Sequence, residues 1–183
     1  MAISIRNLST TLMHSRKMTM EQKSGLHIKL QQEFPGAVLS VHDQHGDETV
    51  TTKRENLLEV IRHLKEDPAF DLNVLIDITA VDGLGMKTKP RFEMVYHFYS
   101  LAKKHRLRVK VKIDEKDAVM PTLTSLWPIA DWLEREVWDM FGICFEGHPD
   151  LKRILMYEEF TGHPLRKDYP YSKRQPLIGP KHA

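Results

Sequence analysis

The stretch RLRVKVKI, residues 106–113, alternates apolar and cationic side chains without a break. Side chains on a strand point to opposite faces in turn, so Leu107, Val109, Val111 and Ile113 must lie against a core while Arg106, Arg108, Lys110 and Lys112 share the other face. Such a strand belongs to a sheet covered on one side only, and one-sided covering is typical of antiparallel sheets. A row of four cations could grip phosphates. More often it is a solvated or partner-covered sheet face, and no aromatic stacking platform is interleaved with it as single-strand binding would require. The rival reading, a small RNA-binding module using this row and the basic C-terminal end, would show binding that weakens steeply with salt.

The same period-2 pattern appears in 91–100, where Phe92, Met94, Tyr96 and Phe98 alternate with Glu93, Val95, His97 and Tyr99. In 73–81 it puts Val74, Ile76, Ile78 and Ala80 on one face. Residues 37–43 and 48–52 read as a short hairpin around His45-Gly46-Asp47. Helical spacing appears in three places. Thr19-Met-Glu-Gln22 has capping-box spacing ahead of Leu26 and Leu30, and Thr52-x-x-Glu55 precedes Leu57, Leu58, Ile61 and Leu64 before Asp67-Pro68 stops the turn. Residues 122–141 form the third, with Leu126, Ile129, Ala130, Leu133, Val137, Met140 and Phe141 on one stripe and Gly142 as the C-terminal cap. On that helical projection Trp127 and Trp138 share a flank with Glu134 and Asp131, a surface to be covered by another protein or by the chain's own tail.

After Gly142 the periodicity disappears and five of the ten prolines follow. From Gly162 onward Arg166, Lys167, Lys173, Arg174 and Lys181 face the single acid Asp168. The expectation is an α+β domain at about 19–141, with a mainly antiparallel sheet and helices packed on one face. A flexible N-terminus at 1–18 and an extended, proline-rich basic C-terminal tail at 142–183 flank it.

Chemistry is sparse. The single cysteine, Cys144, excludes an intrachain disulfide and any cluster or zinc site built on several thiolates, and between Ile143 and Phe145 it reads as a small buried hydrophobe. No GxGxxG, GxxxxGK[ST], HExxH or GxSxG is present. Glu134 and Glu136 lie about 200° apart around a helix and cannot converge on one bond. Gly147-His148-Pro149 and Gly162-His163-Pro164 read as two bends, in which glycine supplies a positive φ and proline fixes the next residue; a shared metal would need Asp150 and Asp168 as well. His148 and His163 are expected to hydrogen-bond across the bends and aim the tail. No apolar run approaches the ~20 residues of a membrane span, and Met1 to Met18 lacks a secretory signal, so a cytoplasmic location is expected.

A family likeness rests on three stretches. The longest runs from Glu134-Arg-Glu-Val-Trp-Asp139-Met-Phe-Gly142 through Gly-His-Pro-Asp150-Leu-x-Arg-Ile-Leu155. Gly162-His-Pro-Leu-Arg-Lys-Asp-Tyr-Pro170 follows it, and Asp77 to Asp82 with Arg91 to His97 lie upstream. Together these resemble the 30 kDa subunit family, the C-type subunit of the proton-translocating NADH-quinone oxidoreductase, respiratory complex I, over roughly residues 70 to 172. The resemblance implies a peripheral-arm subunit that binds no cofactor itself. FMN and iron–sulfur clusters, in partner subunits, would carry electrons from NADH to quinone. The implied partners are the quinone-site D-type (49 kDa) subunit and other peripheral-arm subunits of complex I, with no nucleic acid. Membrane association would be indirect, on the cytoplasmic side. Related subunits occur in membrane-bound hydrogenases and in dehydrogenases that use other donors. Beside this, the partner-facing residues expected from the reading are Trp127, Glu134, Arg135, Trp138, His148, Arg153, His163, Arg166, Lys167, Asp168 and Tyr169.

Overall fold

The computed structural model describes residues 25–86, 89–172 and 174–176. The capping box at Thr19 to Gln22, the N-terminal segment 1–18 and the last residues of the tail lie outside them.

Five strands form the main sheet: β1 (Val38–His42), β2 (Thr49–Thr52), β3 (Val74–Asp82), β4 (Phe92–Tyr99) and β5 (Arg106–Ile113). Their order is β1-β2-β5-β4-β3. All neighbours are antiparallel except β2 and β5, which run parallel, so the sheet is mixed rather than purely antiparallel. Turn residues specify the β1–β2 hairpin locally, but nothing in them says which edge of the β3-β4-β5 meander it joins. Three α-helices accompany the sheet among the described residues: α1 (Leu26–Glu33), α2 (Leu57–Glu66) and α3 (Ala130–Phe141). Their buried side chains join Met94, Tyr96, Phe98, Leu107, Val109 and Val111 in one apolar cluster on one face of the sheet.

Three expectations give way to the structure. In β3 a bulge between Leu75 and Asp77 shifts the register, so Leu75 joins Ile78 and Ala80 in the core and Ile76 turns outward, 47% exposed. The helix expected over 122–141 is α-helical only from Ala130, because Pro128 has no amide to donate and the preceding turns are closed by Leu126 and Trp127 amides on the Leu123 carbonyl. That shift removes Trp127 from the helical flank. Trp127 lies in the core, its indole donating to the Asn73 carbonyl at 3.0 Å and its ring 5.3 Å from that of Phe98, while Ile129 is exposed.

The third change follows Gly142. Two short strands, β6 (Val119–Pro121) and β7 (Cys144–Glu146), pair in parallel there. Alternation along β7 buries Ile143 and Phe145 and turns Cys144 out to solvent, so the cysteine is not a buried hydrophobe.

The bulge yields a test. Leu75→Ala should cost about 2–4 kcal/mol in urea unfolding, and Ile76→Ala less than about 0.5 kcal/mol; an unbulged strand would give the reverse order.

Candidate docking site

Residues 131, 135 and 139 lie four apart on α3 and therefore form one stripe along the helix. Each grips the segment that follows β7. At Asp131 the backbone carbonyl accepts from His148 Nε2 at 3.2 Å, while the Asp150 amide donates to His148 Nδ1 at 3.1 Å. The amide requires an unprotonated Nδ1, which puts the ring proton on Nε2. One turn on, the Arg135 guanidinium donates to the Lys152 and Arg153 carbonyls at 3.2 Å each and lies 5.2 Å from the exposed ring of Trp132.

Asp139 is fully buried and carries the most. Arg153 Nη1 lies 2.5 Å from one carboxylate oxygen, and the amides of Ile154, Leu155 and Met156 converge on the other at 3.1, 2.9 and 2.8 Å. Burial alone would push this carboxyl up. The Met156 amide, the Arg153 guanidinium and the Leu155 and Ile154 amides outweigh it, so the group stays below its ordinary range. Arg153 then donates onward to the Phe160 and Gly162 carbonyls from a position between the rings of Trp138 and Phe160. His163 Nδ1 donates to the Asp139 carbonyl at 3.0 Å. Its ring closes over Gly142, where an added Cβ would come within 2.7 Å of the imidazole at a backbone φ of 76°.

A second knot holds the far end of the segment. Arg91, at the start of β4, forms a fork on Asp82 at 2.9 and 2.7 Å and a second fork on Asp168 at 3.1 and 2.8 Å. It also reaches Glu115 at 2.6 Å. Arg166 joins through Asp168 and Glu115, and the Lys167 amide donates to Asp82 at 2.8 Å. Hydrogen bonding from Arg91 holds the Asp82 carboxyl down at about 2 and Asp168 far below the usual carboxylate range. Tyr169 stacks on Phe160 and covers Gly162.

Of the residues singled out from sequence, Arg135, Trp138, His148, Arg153, His163, Arg166, Lys167, Asp168 and Tyr169 meet in this anchorage. Glu134 does not: it is fully buried inside the chain, accepting from the Thr122 hydroxyl and the Leu123 amide at 2.6 Å each. Burial pushes its carboxyl up to about 7, against the Leu123 amide and the Thr122 hydroxyl, which favour the anion. Sequence reasoning overlooked Arg91, Asp82, Glu115 and the role of Asp139. The spacing Asp131-x₃-Arg135-x₃-Asp139 was the available signal for the last. His148 and His163 bind carbonyls eight residues apart on α3, about 12 Å along its axis, too far to share a metal. On the open sheet face Arg108 pairs with Asp47 at 3.0 Å and Lys110 with Glu93 at 2.7 Å, so half of the cationic row is already compensated. No helix among the described residues is long and apolar enough to cross a membrane.

The fold is an α+β domain whose third helix strings a polar segment along its flank. The sequence family described as respiratory-chain NADH dehydrogenase, 30 Kd subunit, matches residues 50–175. The C-type subunit of NADH-quinone oxidoreductase from Citrifermentans bemidjiense is 48% identical over 154 residues, covering 83% of this chain and 93% of that protein. Among solved structures, a trypsin-resistant fragment of Nqo5 is 36% identical with a TM-score of 0.60, covering 70% of this chain and 99% of the fragment. A chain of the archaeal membrane-bound sulfane sulfur reductase is 26% identical with a TM-score of 0.63, covering 84% and 93%. The chain belongs to the 30 kDa subunit family of respiratory complex I.

Two outcomes test the site. Asp139→Asn leaves Arg153 and three amides around a neutral group and should cost about 3–5 kcal/mol, opening the Arg166 and Lys167 bonds to trypsin while Asp150→Asn does not. For Glu134 the folded-state value exceeds the ordinary carboxyl value of 4.5, so its contribution is fully present below pH 4.5 and is lost as pH rises through about 7. Glu134→Gln should therefore remove a loss on the order of 3 kcal/mol between pH 4.5 and 8 in urea unfolding.

Proposed function

We propose that this chain is a non-redox structural subunit of the peripheral arm of NADH-quinone oxidoreductase. In this reading it holds neither FMN nor iron–sulfur clusters, which belong to partner subunits passing electrons from NADH to quinone, coupled to proton translocation. It docks on the quinone-site D-type (49 kDa) subunit, on the cytoplasmic side of the membrane and without a span of its own. Residues 142–183 are the docking element, with Trp138 and the anchored histidines and arginines setting its path.

The observation that carries the reading is the state of that segment. Ile143, Phe145, Leu151 and Met156 tie its start to the domain core, its further fixed points are hydrogen bonds and ion pairs, and it presents Leu155 and Leu165, each more than half exposed, with Tyr171 wholly exposed. Apolar side chains held out on an ordered polar strap suit a surface that a neighbour covers. The likeness to the sulfane sulfur reductase chain favours one alternative, an equivalent subunit in a related respiratory membrane complex.

Deleting residues 162–183 tests the reading. The truncated chain should fold but fail to enter the complex, with quinone reductase activity lost from the membranes; normal assembly and activity would refute the role of the strap. Mass-spectrometric identification of the proteins captured by a tagged full chain separates the two complexes.

A further inference from the structure

The sheet face opposite the helices contains a hollow of about 470 Å³ at the ends of β3, β4 and β5. Three features of the fold make it. The β3 bulge turns Ile76 outward, so an aliphatic side chain 47% exposed forms one wall. Alternation along β5 sends Arg106 and Arg108 to the same face, beside His97 of β4. Lys104, in the β4–β5 turn at a left-handed φ of 55°, also lines it.

The cations there are unequally paired. Arg108 is held by Asp47 at 3.0 Å and touches Thr49 and His97. Glu48, which also lines the hollow, is buried and turned to His27 Nδ1 at 3.0 Å, and Asp77, opposite His97 in the β3–β4 register, is a third acid acting on that ring. Burial and the neighbouring Arg108 depress the His97 imidazole, which leaves it uncharged at neutral pH. Arg106 has only the face of Tyr99 at 5.6 Å, and among the described residues no carboxylate lies in ion-pair range of Arg106 or Lys104. Among the described residues, two exposed cations with no carboxylate in ion-pair range therefore flank an exposed isoleucine on a face to which no described helix contributes its buried side chains. The described anchors of the strap lie elsewhere, on α3 and around Arg91.

We propose that this hollow is a second docking surface, independent of the strap, whose occupant is an acidic segment of a neighbouring subunit. That segment seats an apolar side chain on Ile76 and carboxylates on Arg106 and Lys104. Charge complementarity selects it: a basic or neutral segment would leave both cations uncompensated on burial. The inference deepens the reading of the chain as a subunit of a larger complex and rests on it.

The test uses the assembled complex, with the photo-crosslinking residue p-benzoylphenylalanine in place of Ile76, an exposed position. Irradiation should join position 76 to a peptide of another subunit that has Asp or Glu within a few residues of the attachment point. Arg106→Glu with Lys104→Glu should lower retention of the chain in the complex during a wash at moderate salt by on the order of tenfold. Arg106→Lys with Lys104→Arg should restore it, and the unfolding curves of all variants should coincide with that of the parent chain. A crosslink to a peptide without acids, the absence of an intersubunit crosslink, or unchanged retention of the charge-reversed chain overturns the proposal. If the tagged chain captures no respiratory subunits at all, it is the functional reading that fails.

Discussion

The course of the chain just beyond β7, through residue 163, depends on one buried carboxylate. Asp139 has lost its water, and a lone ion in that position would be expensive; it is stable because four donors, one guanidinium and three consecutive amides, converge on two oxygens. Three of those donors are backbone. The acid therefore specifies a chain direction and a bend at 154–156, whatever side chains the bend carries. Arg153, once held by Asp139, spends its other nitrogen on the Phe160 and Gly162 carbonyls, and this sets the next bend before His163 reaches back to the same turn of α3. A segment with no apolar periodicity thus acquires a fixed course without a core.

The Arg91 knot acts at the other end and differs in exposure. Asp82 is buried, whereas Asp168 and Glu115 are close to half exposed, so the near side of the knot is structural and the far side is solvated. Exposed ion pairs contribute little individually, and a fork shared among several charges contributes more because the arginine is already immobilised by its first partner. Binding the strap's end to a preset guanidinium costs less side-chain entropy than pairing two free surface residues would.

The sheet was largely legible in the sequence because period-2 alternation is a local signal: strands expected at 91–100 and 106–113 appear at Phe92–Tyr99 and Arg106–Ile113. The parallel joining of β2 to β5 was not, since it depends on which free edge a finished hairpin meets. The bulge at Leu75 was hidden because Leu and Ile are interchangeable in a hydrophobic pattern, and only pairing with β4 decides which faces inward. Trp127 was misplaced for one reason: helical spacing was extended through Pro128, and a residue before the first true turn cannot be projected on a helical wheel. Among the site residues, those in the strap stood out as charges without a core. Their receptors, Asp139 and Arg91, look in sequence like any acid on an amphipathic helix and any base at a strand end, because burial of a charge is a tertiary property.

On the proposed reading of the strap as a docking element, the division between core and strap also gives a reason for ordering it before it docks. Fixing a residue's backbone costs on the order of 1–2 kcal/mol, so an unanchored strap of this length would bring an ordering cost of tens of kcal/mol to its interface. Here the intrachain knots at Asp139 and Arg91 meet much of that cost within the chain itself, using polar groups that need no neighbour for their satisfaction. The apolar side chains they leave outside, Leu155, Leu165 and Tyr171, are then available to a partner surface at little further entropic cost. Polar anchorage inward and apolar presentation outward share one origin: a segment too polar to build a core is ordered largely by hydrogen bonds, with Leu151 and Met156 lodged against the domain, and the hydrophobes that those bonds do not need, Leu155, Leu165 and Tyr171, stay outside.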